Sequence, residues 1–447
     1  GMEVIMAQSI GQKFTPAALL RFAFPSMVMM MLMSCYTIVD GIFISRFLGD
    51  NALSSVNIVY PVINILLAIG VMLSTGGSAV VAKKMGEGKQ DEAKQDFSMF
   101  TAIGVGASLV ILAATLLFLD PVCRMLGAND ALLNNCMAYL RTVILFAPAC
   151  MLQSLFQAFF VTAGKPHIGL TLIVSAGICN GILDYVFLDP LGFGIEGAAL
   201  ATGIGQMIPA VFGVCYFFFV KGDLHFTGFR VYGKTLGAAC VNGSSEMVTN
   251  LSNAVITYLF NQTMLRLAGE SGVAAITIIL YAEFLFNALY LGFSMGVAPV
   301  ISYHYGAKND AELQNIYRIS RRFVILSSFV IMAASFLSSN GIVGIFVDSG
   351  TQTYALAVEG FSLFSLAFLF SGFNIFSSAL FTALSDGKTS AIISFIRTFG
   401  FILISLLTLP ALFGVTGVWM AIPTAEFFTM FLSWYFHRSK SSVYHYA

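Results

Sequence analysis

Apolar runs long enough to cross a bilayer as helices take up most of this chain, and they restrict its fold more than any other feature. A spanning helix needs roughly 20 mostly apolar residues. Gly, Pro and charge clusters divide the sequence into about twelve such runs, with cores near 17–45, 55–82, 97–119, 138–163, 168–188, 198–220, 237–265, 273–302, 323–346, 360–384, 390–412 and 416–436. Only 10% of the 447 residues are charged against 58% hydrophobic, where a soluble domain carries about a quarter charged residues. The expectation is an all-α integral membrane protein. Its 22 basic and 22 acidic residues cancel, so no global field points to nucleic acid and only the placement of charge informs.

That placement is lopsided. With the runs taken as alternating spans, seventeen Lys and Arg fall at the N-terminus, the even loops and the C-terminus, and four (Arg46, Arg124, Arg141, Arg266) fall in the odd loops. The positive-inside rule then puts both termini in the cytoplasm, as an even number of spans requires. The first run is too long and too polar at its centre for a signal peptide and is read as a retained span, and Gly1 ahead of Met2 reads as an added residue. The seven cysteines form no metal-type pair; free thiols are expected, with a Cys123 to Cys136 bridge left open.

The two halves repeat. "STGGSAVVAKKMGEGKQDEA" from Ser74 resembles "SMGVAPVISYHYGAKNDAEL" from Ser294, "FLGDNA" from Phe47 pairs with "LAGESG" from Leu267, and "GFGIEGAALA" from Gly192 pairs with "LFGVTGVWMA" from Leu412, all at a shift of 220. The division predicted is 1–220 as an N-terminal six-helix lobe, 221–235 as a cytoplasmic linker and 236–447 as a C-terminal six-helix lobe. The lobes should be related by a pseudo-two-fold axis along the membrane normal, with a cavity between them.

The stretches "YTIVDGIFISRFLGDNALSSVNIVYPV", "ICNGILDYVF", "GIEGAALATGIGQ" and "GVTGVWMAIPTAEFF", in this order and on this half-repeat, resemble the multidrug and toxic compound extrusion (MATE) transporters over essentially the whole chain. The resemblance implies cation-driven export of organic, often cationic and amphipathic, compounds, and it maps the family's first-half cation site onto Asp40, Asn180, Asp184 and Thr202. It also implies, in some members, an acidic cation site on the seventh and tenth helices. The tenth run here contains no Asp or Glu, which puts a second-half cation site in doubt.

The residues themselves point the same way. An acidic side chain at the centre of a span costs about 2.5 to 3.5 kcal/mol on insertion scales and is a functional candidate by default. Asp40 lies roughly 28 Å beyond Arg21 at 1.5 Å per residue, in the outer part of the first span. Asn180 and Asp184, at i and i+4, share a face of the fifth span, and Thr202 lies at similar depth on the sixth. Oxygen ligands with two carboxylates suit Na⁺, and H⁺ competes for the same pocket. The plainer readings are a structural hydrogen bond for Asp40, proximity of Asp184 to the interface, and helix-packing roles for Asn180 and Thr202. Glu246, Glu283 and Glu426, with Arg397 near their level, read as substrate recognition for a cationic cargo, Glu283 above all; the alternative is an Arg397–Glu pair that leaves the core neutral. Pro25, fifteen residues before Asp40, is the expected hinge of the first span. Pro61, Pro148, Pro209, Pro299 and Pro423 offer further bends, and the many Met and Phe mostly face lipid or neighbouring helices.

Other classes fit less well. "SDGKTS" near Gly387 lacks the earlier glycine of a phosphate loop, since Thr382 stands there, so the chain is not expected to be an ATP-driven pump. The five histidines, His167, His225, His304, His437 and His445, lack ligand spacing and are read as interfacial, so neither an enzyme nor a cofactor is expected. A flippase for lipid-linked oligosaccharides shares the topology, but an anionic substrate calls for Lys or Arg in the central cavity, where three Glu outnumber Arg397. The sequence reading is therefore a monomeric, multi-pass antiporter of a bacterial inner membrane, surrounded by lipid, exchanging Na⁺ or H⁺ for organic cations.

Overall fold

The computed structural model describes residues 10–447, and Gly1 lies outside them. The first span, Pro16–Leu48, starts where Thr15 caps the amide of Ala18 and Pro16 sets the first helical position. The second (Asp50–Gly86) and third (Gln90–Leu117) follow, and the fourth is built from two helices, Leu133–Ile144 and Ala147–Thr162. These meet at a 56° bend, at the point where Pro148 in the first turn of the second helix withholds an amide donor. The fifth (Pro166–Leu188) and sixth (Ile195–Phe219) complete the first half.

Helix Gly233–Gly306 is two spans, broken by Gly269 at φ 69° and ψ −156°. Asp310–Leu337, Gln352–Ala383, Gly387–Phe413 and Val415–Tyr444 supply the ninth to twelfth spans. With the bent fourth counted once and the broken helix twice, the described residues form twelve spans. The first-span helix runs unbroken through Pro25, while the eleventh carries a π-helical stretch at Ile396–Ile402.

The repeat is visible in the backbone. Gly49 and Gly269 turn with positive φ at matching positions 220 apart, as do Gly194 and Gly414, positions where a Cβ would be strained. The helices cross through another such pair. A Cβ on Gly86 would lie 1.9 Å from the carbonyl oxygen of Tyr303, and one on Gly306 would lie 2.1 Å from that of Lys83. Since Lys83 and Tyr303 are themselves 220 apart, the two contacts are images of each other about a pseudo-two-fold axis.

This crossing lies at the end of the bundle that holds the basic loops. Gly76 against Ala239, Gly292 against Met27 and Gly296 against Ala23 continue the seam. One apolar core, containing Phe22, Val81, Val297 and Phe376, joins both halves there. Toward the opposite end the core divides in two: one part contains Ile44, Val59, Tyr139 and Ala199 from the first half, the other Phe260, Phe361, Trp419 and Ile422 from the second. Between the halves, no hydrogen bond among the described residues lies nearer that end than Asn64 Nδ2 to the Asn250 carbonyl, at 3.4 Å. The molecule is thus sealed at its basic end and divided at the other.

One expectation is corrected and one open alternative is closed. His437 and His304 are 2% exposed rather than interfacial; His437 bonds Tyr317 Oη at 2.6 Å and Ser377 Oγ at 2.7 Å, so it fills a polar slot between helices. Cys123 and Cys136 are free thiols, and the Cys136 thiol instead donates to the Ser55 carbonyl at 3.6 Å.

Candidate functional site

Asp40 stands one turn beyond Tyr36 on the first span, and Asn180 and Asp184 one turn apart on the fifth. Gly177 permits this approach, because a Cβ there would lie within 2.0 Å of the Tyr36 ring. Gly205 performs a similar service between the fifth and sixth spans, where a Cβ would come within 3.2 Å of the Asn180 side chain. The carboxyl groups of Asp40 and Asp184 consequently face each other.

Beside them is a cavity of about 470 Å³, lined by Asp40, Asn180 and Thr202 and made of first-half residues throughout. Asp40 Oδ1, Asn180 Oδ1, Asp184 Oδ1 and Thr202 Oγ are all buried without a hydrogen-bond partner. Buried polar atoms are nearly always paired, so four partnerless oxygens from three helices in one place need an explanation. Two carboxylates held together away from water repel unless a cation or proton lies between them. The donor set is hard oxygen, and no group of three His, Cys, Asp or Glu is gathered anywhere among the described residues, so it suits Na⁺ or H⁺ better than a thiolate- or imidazole-seeking metal.

Sequence reasoning missed the rest of the cavity wall. Tyr139 is 4% exposed and its phenol lies beside both carboxyls, while Gln153, Gln157 and Gln206 add amides. Two glutamines at i and i+4 on an otherwise apolar fourth span were the available signal.

The acidic residues of the second half divide. Arg397 donates from Nε at 2.8 Å and from Nη2 at 2.6 Å to Glu426 Oε1, and Asn374 Nδ2 donates to Oε2 at 2.8 Å. Glu426 is fully buried and its charge is answered, so this pair forms the neutral core that was the alternative reading. Glu283 is half-buried near the pair and has no hydrogen bond or ion pair among the described residues. Glu246 lines a separate cavity of about 120 Å³ between the halves, with Met30, Thr75, Gln157, Ser294 and Thr382.

A family model described as MatE matches residues 25–186 and, a second time, 246–407. The chain belongs to the MatE family. The family is one of transporters rather than enzymes and uses no cofactor. Among curated relatives, the multidrug export protein MepA of Staphylococcus saprophyticus is 24% identical over 429 residues, covering 91% of this MatE chain and 90% of the relative. MepA of Staphylococcus haemolyticus is 24% identical over 434 residues, covering 93% and 92%. Among solved structures, a MATE protein in complex with MaL6 superposes with a TM-score of 0.91 at 20% identity, covering 98% of both chains. An outward-facing multidrug resistance MATE family transporter gives 0.89 at 21%, again over 98% of both. These structural matches establish the fold.

Proposed function

We propose that this MatE protein is a secondary antiporter that exports organic cations in exchange for Na⁺ or H⁺ by alternating access. One observation carries the reading: partnerless oxygens of Asp40, Asn180 and Thr202 edge one first-half cavity, and a fourth, on Asp184, lies behind them against Asp40. The MepA relatives, named multidrug export proteins, supply the class of cargo. In this reading Glu283 and Glu246, the two second-half candidates outside the Arg397 pair, attract the positively charged cargo.

In this reading the lobes 1–220 and 236–447, joined by the linker 221–235, rock about the basic seam, and both termini lie in the cytoplasm of a bacterial cell. Residues 10–14 and the C-terminal Tyr446 pack at the same end as the basic loops, which supports that orientation. The described conformation, divided at the opposite end, then faces outward. An ion entering there binds between Asp40 and Asp184 and favours a bend of the first span at Pro25, and the bend narrows the space open to the drug. It can drive export only through unequal affinity for the two states. The chain acts as a monomer in the lipid bilayer. The flippase reading has less support, because the one mid-membrane Arg is already bound to Glu426.

The test is efflux of a fluorescent organic cation from proteoliposomes under an imposed Na⁺ or pH gradient. One gradient should drive transport in the parent and fail to do so in Asp40→Asn, which should still fold and insert. Unchanged gradient-driven efflux in that variant would sink the proposal.

A further inference from the structure

The pseudo-two-fold symmetry of the basic end is broken at one place. On one side of the axis the eighth span crosses the first, and residues 10–14 fill the gap beside them. Ile10 and Phe14 are 1% and 3% exposed there. The Phe14 amide donates to Glu312 Oε1 at 2.9 Å, and Asn315 Nδ2 donates to the Phe14 carbonyl at 2.7 Å. On the other side the second span crosses the seventh in the same way, but the connecting segment goes elsewhere: the Thr227 amide donates to Ser98 Oγ at 2.9 Å, and Phe226 stacks on Phe97 at 5.1 Å. The equivalent gap therefore stays open as a crevice of about 290 Å³.

Its lining is cationic. Lys83, Lys84 and Lys234 face it, at positions where the filled side carries Tyr303, His304 and Phe14 at the 220-residue shift. Lys84 is bound to Asp96 at 2.5 Å, and Glu87, also in the wall, lies 3.6 Å from Lys89. Lys83 and Lys234 have no carboxylate partner among the described residues; Lys83 rests over the Tyr305 ring at 5.4 Å. The crevice floor holds Asn242, 3% exposed. Its Nδ2 is spent on the Thr382 carbonyl at 2.8 Å, while its Oδ1 has no partner. Two unpaired ammonium groups and one buried, unmet acceptor describe a ligand that is anionic and also donates a hydrogen bond.

We propose that this crevice binds a phosphate group bearing a hydroxyl donor, with the anionic oxygens between Lys83 and Lys234 and the hydroxyl on Asn242 Oδ1. Phosphatidylglycerol, with anionic phosphodiester oxygens and hydroxyls on its terminal glycerol, and inorganic hydrogenphosphate, with its hydroxyl on phosphorus, both combine the anion with such a donor. Lys83 belongs to the second span and Lys234 to the seventh, so a bound phosphate ties the halves together across the basic seam. It thereby favours the conformation in which that end is closed.

The experiment is a thermal-unfolding titration of the full chain in detergent with dioctanoyl-phosphatidylglycerol, inorganic phosphate or dioctanoyl-phosphatidylcholine. The expected result is a saturable rise in Tm with the first or second, little with the third, and an apparent affinity at least tenfold weaker in the double variant Lys83→Gln, Lys234→Gln. The double variant Lys83→Arg, Lys234→Arg should retain the response, which separates loss of charge from loss of fold, and Lys440→Gln should behave as the parent. A response to phosphatidylglycerol alone assigns the site to a lipid headgroup; a response to inorganic phosphate as well assigns it to the phosphate itself. No response to either, equal stabilisation by phosphatidylcholine, or an unchanged response in the Gln double variant would overturn the assignment.

Discussion

The two halves share one backbone plan and fill it differently. Asp40 in the first half corresponds to Phe260 in the second at the shift of 220, Thr202 to Ile422, and Ala199 to Trp419. Phe260 and Trp419 are completely buried and Ile422 is 3% exposed, all in the apolar cluster that packs the second half away from the seam. The stretch 400–405, which takes the place of Asn180 and Asp184, reads "GFILIS" and holds no Asp, Glu or Asn. The first half keeps a cavity edged with partnerless oxygens, whereas the second sets apolar side chains packed against one another at the corresponding positions. Arg397, which closes off Glu426, lies within the π-helical stretch Ile396–Ile402, a local distortion often found at functional positions. The two frames match; the side chains differ, with ion handling proposed for the first and a packed, supporting role for the second.

The largest effect expected from breaking this contrast is on the buried pair. Arg397→Met leaves Glu426 as an uncompensated charge and should cost about 3 to 5 kcal/mol, read as a large fall in Tm. Adding Glu426→Gln should recover most of it, because the neutral amide no longer requires the guanidinium. Phe260→Ala should destabilise by a comparable amount, about 3 to 5 kcal/mol, through the void it leaves in a filled core. Its first-half counterpart Asp40→Asn should leave Tm unchanged or higher, since it relieves two facing carboxyls. A fall in Tm for Asp40→Asn as deep as that for Phe260→Ala would mean the first-half cavity is structural. The smallest effect is expected from Thr202→Val, which removes one hydroxyl worth about 1 kcal/mol; the ion concentration for half-maximal efflux should rise about fivefold with the maximal rate preserved.

Much of this is legible in the sequence. The spans followed from run length, the pseudo-symmetry from three matches at one shift, and the quartet of Asp40, Asn180, Asp184 and Thr202 from polar atoms placed at similar depth on apolar helices. What escaped depended on which side chains meet. Tyr139 is an ordinary residue near the start of a span until a bent fourth helix turns it toward the carboxyls. Glu426 and Glu283 look alike as sequence, and only the reach of Arg397 and Asn374 distinguishes the satisfied one from the free one. His437 resembled an interfacial histidine because it stands at the edge of the last apolar run, yet the C-terminal segment folds back over it, with Tyr446 Oη donating to the His437 carbonyl at 2.5 Å. The lysine crevice needed knowledge of where residues 10–14 and the linker go, which no periodicity encodes.

The central claim is that ion coupling resides in the first half alone. The most direct measurement compares gradient-driven efflux in proteoliposomes for Asp40→Asn and Asp184→Asn with that for Glu246→Gln and Glu283→Gln, each over a range of drug concentrations. The first pair should abolish the response to the ion gradient, whereas the second pair should raise KM for the cationic drug and leave the gradient response in place. Loss of the gradient response in either second-half variant, or its survival in Asp40→Asn and Asp184→Asn, would contradict that claim.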